Sequence, residues 1–168
     1  MNVFFVYQGK TFKEEVDGGY IWAPKETKKG SKHKGFTNVS EIRKGDYIFH
    51  CDNAKIKAIS IAEDNCESSI MPENLRRANS ADAWNDDGYR VKCHYIILEK
   101  PLGLTPHRQW LRDNHEYDSA FTKSGGGRQQ YMCHLPDKHV EYLLTEIRDL
   151  QPSIVREVIL QPLFSKFG

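Results

Sequence analysis

GGYIWAPKETKKGSKHKGFTNVSEIRKGDYIFHCDNAKIKAISIA, residues 18–62, carries the pattern that decides the fold. The extended run YIWA (20–23) is kept out of helical geometry at its end by Pro24, whose ring crowds the residue before it. A lysine-rich loop follows. Residues 25–34 hold Lys25, Lys28, Lys29, Lys32 and Lys34, with His33 and a single acid, Glu26. Residues 37–42 fit a short helix, with Thr37 or Asn38 as its cap and Glu41 placed for a capping box. Gly45-Asp46 then turns the chain into the β-type run 47–51, and 56–62 fits as its hairpin partner across Asp52-Asn53. Strands, a basic loop and an aromatic residue at a strand end, Trp22, describe a small barrel with a basic mouth.

Working outward, residues 2–8 (NVFFVYQ) are apolar nearly throughout, as a central strand requires. Residues 11–17 suit a brief helical turn before Gly18-Gly19. Residues 63–88 are polar and irregular, with room for one short helix at 72–78. YRVKCHYIIL (89–98) alternates and then turns apolar, which marks a strand. Residues 106–114 fit a helix with Pro106 in its first turn, and 130–135 are strand-like. The strongest helix is 136–150, where Val140, Leu143, Leu144, Ile147 and Leu150 recur on one face. A further helical segment fits 153–160. Five or six short strands with few helices give an α+β fold, a small mixed β-barrel flanked by helices. The domain is expected over 1–150, with 151–168 a helical extension or linker.

A chain of 168 residues is long enough to bury its own core. With 11% aromatic and 28% charged residues it belongs among globular rather than disordered chains. The formal net charge of +1 is uninformative, but its distribution is not. The basic loop contrasts with acidic stretches at 63–73 and 82–87, which suits one focused contact with a polyanion. No run approaches membrane-spanning length and no basic region precedes the short apolar run 2–8, so neither a membrane partner nor a signal peptide is expected. Cys51, Cys93 and Cys133 lie in or beside β-type sequence, where a free thiol acts as a small hydrophobe, and Cys66 stands apart from them. The expectation is a reduced, cytoplasmic protein without disulfides.

Three Cys–His neighbours invite a catalytic reading: His50-Cys51, Cys93-His94 and Cys133-His134. Adjacent side chains on a strand point to opposite faces, so none of these pairs forms its own dyad. Zinc spacings such as C-x₂-C are missing, and neither a metal nor a cofactor is expected. The segment SGGGR (124–128) lacks the Lys-Ser/Thr ending of a phosphate loop. It is either a flexible tip or a close backbone approach to a ligand that brings Lys123 and Arg128 near a phosphate. The lysine loop can be a solvated charge run. Its position between Trp22 and Phe36 favours nucleic acid, with rings stacking on bases and lysines neutralising the backbone. Trp84, in the polar run ADAWNDDG, either covers the core or acts as a lid. Trp110 falls on the apolar side of its helix.

The ordered combination GYIWAP, basic loop, NVSEIRKGDYIFHC, IKAISIA and GGGRQQYMCHL resembles the EVE domain of the PUA-like superfamily. It looks most like the EVE domains that precede HNH nucleases in modification-dependent restriction proteins, and the likeness spans residues 2 to about 150. The resemblance implies a pocket for a flipped base, expected in that group to be a modified cytosine (5-methyl or 5-hydroxymethyl) in double-stranded DNA. It implies aromatic walls at Trp22, Phe36 and Trp84 or Tyr131, with base-edge readers among Asn38, His50, Ser60, Gln129 and Gln130. Lys25, Lys28, Lys29, Lys32, His33, Lys34, Lys123 and Arg128 are the candidate phosphate contacts. Phe36 stands where tryptophan is expected in this group. The sequence carries no nuclease domain, so the chain is either a recognition module for a fused or partner HNH nuclease or a binder that does not cut. Two other readings stay open: an RNA-binding PUA-like module, and a nucleotide-acting enzyme using His50 or Cys51.

Reading a base by both its edge and an added group means taking it out of the stack. That costs a few kcal/mol, which stacking and edge hydrogen bonds can offset. One buried methyl contributes roughly 0.8 kcal/mol, about fourfold in affinity. Stronger selectivity needs a clash or an unsatisfied polar group when the wrong base enters.

Overall fold

The computed structural model describes residues 1–78 and 84–153. Seven strands form one curled sheet in the order β2-β6-β4-β3-β1-β7, with β5 pairing on β6. They are β1 (Val3–Tyr7), β2 (Tyr20–Pro24), β3 (Tyr47–Asp52), β4 (Lys55–Ala62), β5 (Glu67–Ile70), β6 (Asp87–Gly103) and β7 (Met132–His134). Among the described residues only β1 and β3 pair in parallel, and the other strand pairs are antiparallel. The expected mixed barrel is thus present as a curled half-barrel.

Strand alternation separates two cores. Val3 and Phe5 of β1, with Phe49 and Cys51 of β3, face the outer helices α4 (Arg108–Asp113) and α5 (Asp137–Leu150). Phe4, Val6 and Ile48 face the inside of the curl with Ile21, Val91 and Met132. His50 points inward with Ile48 while Cys51 points outward, as strand geometry requires. On α5, Val140, Leu143, Leu144 and Ile147 are buried, whereas Leu150 in the last turn is exposed. Helix α1 (Phe12–Gly18) ends on Gly19 at φ 70°, where glycine takes the left-handed geometry without strain.

Three local expectations need correction. The hairpin turn lies at Asn53-Ala54 (φ 52° and 56°), not Asp52-Asn53, because Asp52 still pairs with Lys55. Helix α2 is Lys34–Thr37, followed by a 3-10 turn over Asn38–Glu41, and no capping box forms. The Asn38 amide instead donates to the Met132 carbonyl at 2.9 Å, and Glu41 pairs with His134 at 2.7 Å. The irregular stretch 63–88 holds α3 (Glu73–Arg77) and also β5, whose mostly exposed polar side chains give no alternation to read. The helical segment expected at 153–160 lies, beyond Ser153, outside the described residues. Gln151 is buried, and its side chain brackets the backbone of Lys100 on β6.

The sheet does not close by a backbone ladder. The free edge of β2 is met by side chains: Glu15 Oε1 accepts from the Trp22 N–H at 2.9 Å, and the Tyr131 hydroxyl lies 3.3 Å from the Trp22 carbonyl. This side-chain seam joins β2 to the segment that enters β7, and the candidate site opens beside it.

Candidate functional site

Helix α2 packs against the chain at Gln130 and Tyr131. Gly35 makes this possible, since a Cβ there would lie 2.7 Å from the Tyr131 nitrogen. Between these segments lies a cleft of about 620 Å³. Its inner wall is aromatic, formed by Tyr7, Phe36, Trp84 and Tyr131. Trp84 sits at the centre of the rings, 5.9 Å from Phe36, 5.9 Å from Tyr131 and 5.9 Å from Trp22 by centroid. A β-bridge to Thr27 ties Trp84 to the lysine loop. The rim is polar and basic: His33, Lys34, Arg128, Gln129 and Gln130. The buried Arg128 Nε has no hydrogen-bond partner, while its Nη2 donates to the Tyr117 carbonyl at 2.9 Å.

Behind the aromatic wall lies a polar network. Glu15 is fully buried. The Tyr131 hydroxyl donates to its Oε1 at 2.5 Å, and the Thr11 hydroxyl lies 2.8 Å from its Oε2. Burial lifts this carboxyl to about 7, against the opposing pull of its Trp22, Tyr131, Thr11 and Gln8 donors. Because the Tyr131 hydroxyl is committed to Glu15, Tyr131 presents its ring to the cleft. A second chain runs alongside. Ser60 donates to His50 Nε2 (2.6 Å), His50 Nδ1–H to Gln8 (2.8 Å), the Gln8 amide to Tyr95 (3.1 Å), and Tyr95 to the Tyr20 carbonyl (2.8 Å). The Gln8 orientation sets this tautomer. Burial holds His50 down to about 3, so it stays neutral.

Of the base-pocket candidates, Phe36, Trp84, Gln129, Gln130 and Tyr131 line the cleft. Trp22 does not: it is 0% exposed, supports Trp84 from behind, and its indole N–H lies 3.3 Å from the Ser69 carbonyl. The pleat turns Trp22 toward Leu75 and Met71, away from the cleft. Asn38, His50 and Ser60 are likewise buried and outside the cleft: His50 and Ser60 bond each other, His50 also meets Gln8, and the Asn38 amide donates to the Met132 carbonyl. Gln130 lines the cleft with its amide nitrogen donating to the Met132 carbonyl at 3.0 Å.

The phosphate candidates divide three ways. His33, Lys34 and Arg128 line the cleft. Lys25 and Lys32 line a second groove of about 300 Å³ beyond α2, where Lys25 pairs with Asp87 at 3.5 Å. Lys28, Lys29 and Lys123 are exposed on their loops and line neither space. In the Gly-rich segment the close approach is internal: a Cβ on Gly125 (φ 81°) would fall 2.1 Å from the Arg108 carbonyl. Gly125 thus fits neither a flexible tip nor a close approach to a ligand; it packs against the chain's own backbone.

The four cysteines are unbridged. Burial, reinforced by Asp52, pushes the Cys51 thiol up to about 12, away from a reactive thiolate. Ser119 and His139 form a pair that sequence reading missed: Ser119 Oγ lies 2.7 Å from His139 Nδ1, and His139 Nε2 lies 2.8 Å from the Asn114 carbonyl. Both residues are buried, which makes the pair a structural tie between α5 and the preceding loop. Glu15, Tyr7 and Gly35 were also missed. A signal existed for Tyr7 alone, as the last residue of an apolar strand. Among the described residues, no helix is long and apolar enough to cross a membrane.

The curled mixed sheet with flanking helices is a fold shared with several solved structures. Similar solved structures include the YTH domain of Zygosaccharomyces rouxii MRB1 protein in complex with N6-methyladenosine RNA, at TM-score 0.55 and 11% identity, covering 91% of this chain and 90% of that one. The Pho92 YTH domain in complex with m6A matches at TM-score 0.51 and 12% identity, covering 90% and 85%. ASCH from Zymomonas mobilis matches at TM-score 0.53 and 8% identity, covering 90% and 96%. At these identities the likeness is one of fold. No protein-family model and no curated protein sequence matches the chain.

Proposed function

We propose that this protein is a non-catalytic recognition module that takes a modified base out of a nucleic-acid strand and holds it in the cleft of Phe36, Trp84 and Tyr131. The observation that carries this reading is the division of the cleft into an aromatic inner wall and a basic rim of His33, Lys34 and Arg128. Ring faces stack on any base, each contact contributing ~1–3 kcal/mol, while rim cations neutralise the flanking phosphates. Two of the fold neighbours hold N6-methyladenosine, which supports a modified nucleotide as ligand.

In the finer form of the reading, the base is 5-methyl- or 5-hydroxymethylcytosine in double-stranded DNA. The chain then supplies the specificity of a modification-dependent restriction system, with an HNH nuclease fused or as partner. Resemblance to EVE domains supports that form. A second form, recognition in RNA, is favoured by the ligand of the two YTH neighbours.

Fluorescence anisotropy with matched DNA duplexes, modified and unmodified, and an RNA of the same sequence separates these forms. Trp84→Ala and Phe36→Ala are the informative variants, because Trp22 is core and its removal would test folding instead. Tighter binding of the modified strand that is lost in Trp84→Ala supports the cleft. Equal affinity for all three nucleic acids, unchanged by either variant, would overturn it.

A further inference from the structure

The least expected group near the cleft is the Glu15 carboxyl. It is fully buried, yet among the described residues no lysine, arginine or histidine pairs with it. Its partners are dipoles: the Trp22 N–H, the Tyr131 and Thr11 hydroxyls and the Gln8 side chain. The titratable groups around it are Tyr20 on β2, Cys93 and Tyr95 on β6, and Tyr131 before β7. All four have their acidity suppressed by burial and remain uncharged. Glu14 is its neighbour on α1, and His50, reached through Gln8, is neutral.

A buried carboxylate without a cation is costly, and the resting protein limits that cost by holding Glu15 partly protonated near neutrality. The proton has a defined place. Oε2–H can donate to Thr11 Oγ1, which donates to the Gln8 carbonyl at 2.9 Å. When Glu15 is ionised, the short Tyr131 O–H bond becomes charge-assisted and pushes electron density into the ring that faces the cleft. An electron-rich ring beside Trp84 and Phe36 attracts a cation over its face.

We propose that the cleft prefers a positively charged base, methylated on a ring nitrogen, with the Glu15 carboxylate as its buried counter-ion acting through Tyr131. This rests on the base-binding reading of the cleft. In that reading the rim cations are neutralised by the phosphates of the strand and do not oppose the charged base. Binding of such a base stabilises ionised Glu15 and releases its proton, so affinity for the charged base rises with pH. Affinity for its neutral isomer does not.

Isomer pairs provide the test. One oligonucleotide is made in four versions, carrying 1-methyladenine, N6-methyladenine, 3-methylcytosine or 5-methylcytosine, plus an unmodified control. Each is titrated by anisotropy at about pH 5.5 and about pH 7.5, where the two ring-methylated bases keep their charge. At the higher pH the wild type should bind the charged isomer about tenfold more tightly than its neutral partner, the size of one charge acting across a ring at intermediate dielectric. The preference should shrink at the lower pH, and it should be absent in Glu15→Gln. Glutamine keeps acceptors for Trp22 and Tyr131 and a donor for Thr11, so the variant is expected to fold. Tyr131→Phe keeps the ring but cuts the link and should weaken the preference. Equal binding of both isomers, with discrimination against the unmodified control intact, would overturn the charge inference alone. So would a preference that survives in both variants. No discrimination between any modified strand and the control would overturn the base-binding reading beneath it.

Discussion

Replacing Glu15 with glutamine should change how stability depends on pH. The Glu15 carboxyl rises from 4.5 in the unfolded chain to about 7 when buried. Between those values the folded state holds a proton that the unfolded state has released. The contribution is therefore fully present below about pH 4.5 and is lost as pH rises through about 7. The slope is about 1.4 kcal/mol per pH unit and the total about 3 kcal/mol. His50 works in the opposite sense. Its imidazole falls from 6.5 to about 3 on burial, so its contribution is present above about 6.5 and is lost as pH falls. His139 is also lowered by burial and adds to the same side. In the wild type the Glu15 and His50 slopes oppose each other between about pH 4.5 and 6.5, so that mainly the His139 contribution shows there. Glu15→Gln exposes the histidine slopes, and its stability should rise by at least about 1.4 kcal/mol per pH unit across that window. Urea unfolding followed by tryptophan emission at a series of pH values measures this directly. The stability difference, variant minus wild type, should grow by about 3 kcal/mol between about pH 4.5 and 7 in favour of the variant. A difference that stays constant with pH would refute the buried, cation-free Glu15 on which the reasoning rests.

Three further outcomes follow from the packing. Gly88→Ala places a Cβ 2.3 Å from the Trp22 ring and 2.5 Å from the Ala23 carbonyl, and should cost about 1–3 kcal/mol in thermal unfolding with a red-shifted tryptophan emission. Ala54→Gly relieves a left-handed alanine at φ 56° in the β3–β4 turn and should stabilise by about 0.5–1 kcal/mol; an unchanged midpoint would place the turn elsewhere. Lys34→Ala with Arg128→Ala should reduce the salt-dependence slope of nucleic-acid binding by up to about two, while the pair Lys28→Ala and Lys29→Ala should have the smaller effect. An identical slope in both double variants would mean the cleft rim does not carry the phosphates.

Much of the fold is legible because its signals are local. β1, β2, β3 and the apolar part of β6 show apolar or alternating runs, and α5 repeats its apolar residues at helical spacing. β5 is not legible, since an exposed polar edge strand looks like loop sequence. The hairpin turn is misplaced by one residue because alanine gives no turn signal at position 54. The site is harder for a different reason. A strand-end tryptophan suggests a wall, but whether Trp22 faces the cleft or α3 depends on which side of β2 is covered. That is decided by residues far away in sequence. His50 and Ser60 do face inward as alternation predicts, yet they bond each other and Gln8 takes the remaining ring nitrogen of His50. Glu14 and Glu15 look alike in KEEVDG. Only the seam between β2 and β7 makes one of them the buried partner of Tyr131.

In the proposed complex the base leaves its strand and lies against Phe36, Trp84 and Tyr131. Intermolecular nuclear Overhauser contacts from an isotope-labelled methyl group on the modified base of a bound oligonucleotide test it most directly. The expected result is contacts from that methyl to the ring protons of Trp84 and Tyr131, together with loss of the imino signal of the opposing pair in a duplex. A methyl whose contacts remain with its stacked neighbours, with the base pair intact, would contradict it.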